Sequence, residues 1–382
     1  MKWEKVKLGE LYEVHNGLSK AGKFFGEGYP FLTFSTVFNN YFIPKQITDL
    51  VQSTEKEQES YSIRRGDVFV TRTSETSDEL GMSCVALKDY PMATYNGFTK
   101  RMRPITNRVF PEYIGYYMRL PSFRGEFRAF STMTTRASLR NEDLLGLEVK
   151  LPSIEIQKQI AGILSAYDDL IENNQKQIKL LEEAAQRLYK EWFVDLNFPG
   201  HENTKIVDGV PEGWSKTNIN EILTFHRGYD LTKNEMKAGR YPVVGSTMVI
   251  GYHNEFKING PGIVTGRSGS LGKYQFIWDN FWPHNTSLYI SDYKDHNIFF
   301  VYSLLQTVDF ASLNNGGAIP TLNRNVLSNI EVIEPEKKLQ DVFAKIAEPQ
   351  YQKIRNLEKQ NDRLKTARDL LLPKLMSGEV EV

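Results

Sequence analysis

The stretch QKQIKLLEEAAQRLYKEWF, Gln175 to Phe193, decides how this chain is built. It reads as one amphipathic helix inside a sequence otherwise rich in Gly, Pro and aromatic residues. Working outward, the apolar positions run Ile160, Leu164, Tyr167, Ile171, Asn174, Ile178, Leu181, Ala185, Leu188 and Trp192. The 4,3 spacing is the a/d seam of a coiled coil. Adding 183 to each number gives a second seam: Phe343, Ala347, Gln350, Ile354, Leu357, Asn361, Leu364, Arg368, Leu371 and Leu375. The second seam carries more polar residues, and Pro373 predicts a stop or kink near its end.

Two seams in one chain can pack on each other. An antiparallel register places Ile171 on Leu364, Ile178 on Leu357 and Leu181 on Ile354, and sets Asn174 against Asn361 as a register lock. The alternative is that each helix packs on its own globular part. About 36 helical residues span roughly 54 Å, so the pattern predicts a spacer between two heads.

The repeat extends beyond the helices. Leu139, Leu144, Glu148, Pro152 and Gln157 recur as Leu322, Leu327, Glu331, Pro335 and Gln340. At an offset of 211, Trp3, Glu10, His15 and Gly17 recur as Trp214, Glu221, His226 and Gly228. A weaker correspondence sets DVFVTRTS (Asp67 to Ser74) over GIVTGRSG (Gly262 to Gly269) and Arg72 over Arg267. The Pro- and Gly-containing segment Asn197 to Trp214 joins the halves as a loop. The resulting division is a first head at 1–150, a central helix at 151–196, a second head at 197–335 and a C-terminal helix at 336–382. Strand patterns followed by helical ones make each head α+β; Pro111 to Phe130 reads as a helix.

The totals narrow the functional classes. Lys plus Arg and Asp plus Glu number 47 each, so a nucleic-acid role needs local basic patches. The single cysteine, Cys84, excludes an internal disulfide and a multi-cysteine metal site, and reads as a buried thiol. No signal-peptide pattern and no apolar run of about 20 residues is present, which predicts a cytoplasmic protein without a membrane segment. Walker A, G-x-G-x-x-G, H-E-x-x-H, G-x-S-x-G and NPPY patterns are all absent from the sequence, and the six His lack metal-ligand spacing. No catalytic constellation is legible, which weighs towards binding.

From Lys100 to Arg140 nine basic residues face two acidic ones, a net of +7 with interleaved Tyr and Phe. Such a block suits a phosphate-facing surface, or a solvated helix face. The first-head DNA-contact candidates are Arg72, Thr73, Lys100, Arg101, Arg136 and Arg140. In the second head, Arg227, Arg267, Ser268 and Lys273 join Asn314, Asn315 and Arg324, on Gly-rich loops that also suit plain structural turns. These residue types bond phosphates and base edges. The aromatic cluster Tyr189, Trp192 and Phe193 is a candidate partner anchor, or packs under the second head.

LPSIEIQKQIAGILSAYDDLIENNQKQIKLLEEAAQRLYKEWFVD followed by GVPEGW closely resembles the central repeat of type I restriction–modification specificity subunits, and NLEKQNDRLKTARDLLLPKLMSGEVEV resembles their distal repeat. The similarity covers the chain and its order of parts, although members of that family often extend further at the N-terminus. The resemblance implies two pseudo-twofold-related target recognition domains, each reading half of a bipartite double-stranded DNA target. They would be separated by an antiparallel coiled coil that sets the spacing and docks two methyltransferase subunits. S-adenosylmethionine would sit on those partners, with no cofactor on this chain, and restriction/translocase subunits would add cleavage. The rival readings are a coiled-coil adaptor with two protein- or glycan-binding heads, and an enzyme whose site assembles between the heads.

Overall fold

The structure, a computed structural model, describes residues 3–74, 79–130, 137–267, 272–308 and 330–382. Two units divide the chain: 1–173 with 360–382, and 174–359. The central helix, Ile154–Phe193, and the C-terminal helix, Lys337–Ser377, each contribute residues to both.

In the first unit, strand Glu4–Lys7 pairs antiparallel with Glu148–Leu151, just before the central helix. A four-stranded antiparallel sheet follows the order Tyr12–Asn16, Thr99–Pro104, Val68–Thr71, Ser83–Val85. The run VFVT is buried at all four positions, as an inner strand covered on both faces requires. A smaller sheet joins Phe25–Leu32 antiparallel to Leu50–Val51 and parallel to Thr94–Tyr95. The segment read as one helix is two, Pro111–Tyr117 and Pro121–Phe130. Pro121 disfavours a helical conformation at the residue before it while suiting the first turn of the next helix.

The second unit repeats this plan. Ser215–Asn218 pairs antiparallel with Glu331–Glu334. The four-stranded sheet runs Thr224–Arg227, Ser287–Asp292, Gly262–Gly266, Tyr274–Ile277, and the three-stranded one runs Val249–His253, Tyr241–Val244, Trp282–Pro283. Again one pairing of the small sheet is parallel. Helix Ile298–Thr307 occupies the place of the first unit's helix pair.

Within each unit the two long helices run antiparallel. In the first, Ile160 and Leu164 share a core cluster with Leu371, Leu372 and Leu375, and the Arg368 guanidinium bonds the Asp168 carboxylate. In the second, Leu181 and Ala185 share a cluster with Ala347 and Ile354, and Tyr189, Trp192 and Phe193 all contact the Phe343 ring. Ile171, Asn174, Ile354, Leu357 and Asn361 are buried, while Ile178, Leu181 and Leu364 are half-buried. Pro373 does not end the C-terminal helix, which continues to Ser377. Proline forfeits one hydrogen bond there, but the surrounding Leu372, Leu375 and Met376 are buried and hold the last turn in the core.

The matched Gln residues have the same task in both units. Gln157 donates to the Pro152 carbonyl (3.0 Å) and Gln340 to the Pro335 carbonyl (2.8 Å), fastening each strand end to the helix that follows. Both are 1% exposed, so their remaining amide atoms need protein partners. Gln157 accepts from the Phe110 N–H, and the Gln340 oxygen meets His296 Nδ1 at 3.1 Å.

Candidate nucleic-acid interface

The four-stranded sheets align rung by rung. In the first, His15 faces Arg101 and Asn16 faces Lys100; in the second, His226 faces Tyr289 and Arg227 faces Leu288. One residue on, Gly17 N–H donates to Thr99 O (3.2 Å) and Gly228 N–H to Ser287 O (3.0 Å). A Cβ on Gly17 would stand 2.1 Å from the Asn96 carbonyl oxygen, and one on Gly228 2.0 Å from that of His284. The recurring His-x-Gly is thus a close crossing of two backbones that tolerates no side chain. Next to it, Arg72 N–H donates to Phe98 O (3.0 Å) and Arg267 N–H to Thr286 O (3.1 Å). Arg72 and Arg267 are therefore structurally equivalent, and each marks the same end, or pole, of its sheet.

Each pole carries two cations, and in the first they lie close enough to act on each other. In the first they are Arg72 and Lys100. Lys100 is 5% exposed and donates to Asn141 Oδ1. Burial lowers its pKa, the neighbouring Arg72 lowers it further, and Asp143 acts in the opposite direction. Asp143 is itself clasped by Arg140 through Nε (2.8 Å) and Nη2 (3.1 Å). The Arg72 Nη1 meets Asn16 Oδ1 at a long 3.4 Å, and its Nε is buried without a hydrogen-bond partner. In the second pole the cations are Arg267 and Arg227, the latter 3.4 Å from Asp230. Ser246 Oγ donates to Thr286 O (2.8 Å), tying the turn after Tyr241–Val244 to this pole. Lys273 is exposed, and its carbonyl accepts from Thr265 Oγ1 (3.0 Å). Thr73 lies on strand Thr73–Ser74, paired with Ala137–Ser138.

Several candidates have other work. Arg101 is 3% exposed and donates to Ser62 O (2.7 Å), with its guanidinium over the Tyr95 ring. The expectation of a DNA-facing side chain there is corrected to a core role. The basic block as a whole is not a free surface. Arg103 forms a two-bond pair with Asp67 (2.8 and 2.7 Å), Arg108 reaches Glu4 (2.7 Å), and Arg119 serves the carbonyls of Ser83, Val37 and Asn40. A guanidinium has five fixed donors and can cap carbonyls that loops leave open. Tyr189, Trp192 and Phe193 are also turned inward, against Phe300 and Phe343, so they do not form an exposed anchor. Arg136, Ser268, Asn314, Asn315 and Arg324 lie outside the described residues. Among the described residues no His/Cys/Asp/Glu group has metal-holding geometry, and no helix is long and apolar enough to cross a membrane. Cys84 is buried, which pushes its thiol pKa up to about 12.

A model of the type I restriction modification DNA specificity domain matches residues 1–183 and again 211–366. The chain belongs to this family. The repeat is thus one specificity domain written twice. The specificity subunit of the type I restriction enzyme MjaIX from Methanocaldococcus jannaschii is 26% identical over all of this chain and 94% of its own length. That of the enzyme HindI from Haemophilus influenzae is 21% identical, covering 99% of each chain. The crystal structure of the type I restriction–modification S subunit from M. genitalium shares the fold, with a TM-score of 0.60 over 98% of this chain and 96% of its own, at 19% identity. The function of this family member is DNA specificity within a type I restriction–modification system, a non-catalytic role. That decides against the adaptor and the interfacial enzyme. Sequence reasoning missed Asn16, Phe98, Asn141 and Thr286, which are brought to the poles by strand pairing, by the turns before the inner strands and by the start of helix Asn141–Gly146.

Proposed function

We propose that the two heads read the two halves of a bipartite double-stranded DNA target, and that Arg72 with Lys100 and Arg267 with Arg227 anchor them to it. The observation that carries this reading is the shared rung frame with exchanged chemistry: one backbone geometry presents an Asn/Lys rung in one head and an Arg/Leu rung in the other. Equal frames dock on equal backbones, and unequal side chains select unequal sequences. The division into recognition domains at 1–150 and 197–335, with spacer helices at 151–196 and 336–382, belongs to the same proposal. The helices set the spacing of the half-sites and dock two methyltransferase subunits. Those subunits hold S-adenosylmethionine and methylate adenine, and restriction/translocase subunits join them in the cytoplasm.

The test is a binding screen of randomised duplexes against the full chain, with and without its methyltransferase partner, followed by mapping of methylated adenines. Two short specified blocks separated by a fixed unspecified gap are expected. A single contiguous site, or no sequence preference, overturns the reading.

A further inference from the structure

The geometry points to Phe98 as a specificity-determining residue of the first head, one that meets an apolar surface of a base. This rests on the DNA-reading role of the first pole. Phe98 is 57% exposed and sits at that pole, its carbonyl accepting the Arg72 N–H (3.0 Å). The turn that presents it is locked. Phe98 N–H donates to Asn96 Oδ1 (2.7 Å), and the Thr99 N–H and Oγ1 both return to Asn96 O (3.0 and 2.7 Å). The backbone crossing at Gly17 closes the turn from one side, and a Cβ on Gly97 would stand 2.2 Å from Ser19 Oγ. An aromatic ring held outward by this many bonds has little backbone freedom left to lose on binding.

Its neighbours say what it meets. Lys100 stands two residues on, and Arg72 is bonded to its carbonyl; among the described residues these two cations hydrogen-bond the neutral side-chain amides of Asn141 and Asn16, with the Asp143 carboxylate near Lys100. Two like charges drawn together at a half-buried site favour an added anion. DNA offers a phosphate for the cations and, beside it, bases for the ring. Phe carries no hydrogen-bonding group, so it can recognise only apolar features: the thymine C5 methyl in the major groove, or a base face at an opened step. The second head has Thr286 at the equivalent position, with its Oγ1 3.0 Å from His284 Nδ1. That head reads its corresponding base through a polar group instead.

The experiment uses the full chain with its methyltransferase partner. Methylated adenines are mapped for the wild type and for Phe98→Ala, and duplex affinities are measured across a salt series. Phe98→Ala is expected to relax preference about tenfold at one or two base pairs of one half-site. The remaining base pairs of the same half-site keep their preference, which shows that the first head folds; the other half-site and the salt slope are unchanged. Replacing thymine by uracil at the relaxed positions separates the two contacts. A loss in the wild type that is absent in the variant identifies the methyl group, and equal binding identifies a base face. The inference is overturned if Phe98→Ala keeps wild-type discrimination in both half-sites, or weakens every sequence or the methyltransferase association alike. A wild type without bipartite preference would instead overturn the reading beneath it.

Discussion

The two poles share a backbone and differ in where the second cation stands. In the first head it is Lys100, on an inner strand and 5% exposed; in the second it is Arg227, across the same rung on the edge strand, with Leu288 taking the inner place. An inner-strand cation is costly because burial disfavours charge, and the lowered Lys100 pKa is the sign of that cost. The edge-strand Arg227 is exposed to solvent. The first head thus presents a fixed, partly desolvated charge next to an outward Phe98. The second presents a solvated one next to a polar Thr286. Identical frames with opposite burial of charge are a plain route from one fold to two specificities.

The frame itself is where the comparison is easiest to break. Gly17→Ala or Gly228→Ala drives a Cβ into a backbone oxygen that cannot rotate away. Each is expected to destabilise its own head by about 3 kcal/mol, read by chemical denaturation. Equal stability would show that the crossing can open.

Next in size is the ion pair of the first unit. Arg368 lies at the Asp168 carboxylate, which also accepts from Tyr116 Oη (2.6 Å); in the second unit the matching positions are Ala185 and Tyr351, the latter 3.2 Å from Ser303 Oγ. Burial would lower the Arg368 pKa, but Asp168 and Asp369 outweigh it and raise the value. Arg368→Ala strands Asp168 and is expected to cost about 2–3 kcal/mol, more than the paired change with Asp168→Ala. A double variant as unstable as the single one would dismiss the pairing.

Importing the second head's solution sharpens the contrast further. Lys100→Leu is expected to stabilise the first head by roughly 1 kcal/mol, since a buried charge is removed, while lowering the salt slope of DNA binding by about one. Loss of stability together with an unchanged slope would mean that the lysine is purely structural. Arg267→Ala should act on one half-site only, either reducing the slope by about one or relaxing a base preference.

The smallest effect concerns His296, which has no histidine counterpart in the first head. Burial lowers its pKa, against the pull of Glu334, so the folded state favours the neutral ring. Its stabilising contribution is complete above the unfolded value near 6.5 and is lost as pH falls towards the native value. His296→Gln should flatten the decline in second-unit stability between about pH 7 and 5. An unchanged decline would assign it to other groups.

The sequence by itself determined the architecture. The seams from Ile160 and from Phe343, the recurrence of Pro152 and Gln157 at Pro335 and Gln340, and the His-x-Gly pairs are local or periodic signals. Residues near in sequence make them, and a constant offset reveals the copies. The pole was only half legible. Arg72 and Arg267 stood out in repeated strands, but the density of Arg between Lys100 and Arg140 misled, because charge count does not say which guanidinium caps a carbonyl. The antiparallel register did set Trp192 against Phe343, but it could not say that Tyr189 and Phe193 would close on the same ring. Pro373 gave a stop signal that the buried side chains around it overrode. Only the tertiary structure decided which cations stay near water and which aromatic ring faces outward. Those outcomes depend on strand pairing and on competition for buried hydrogen bonds, both set by residues far apart in the chain.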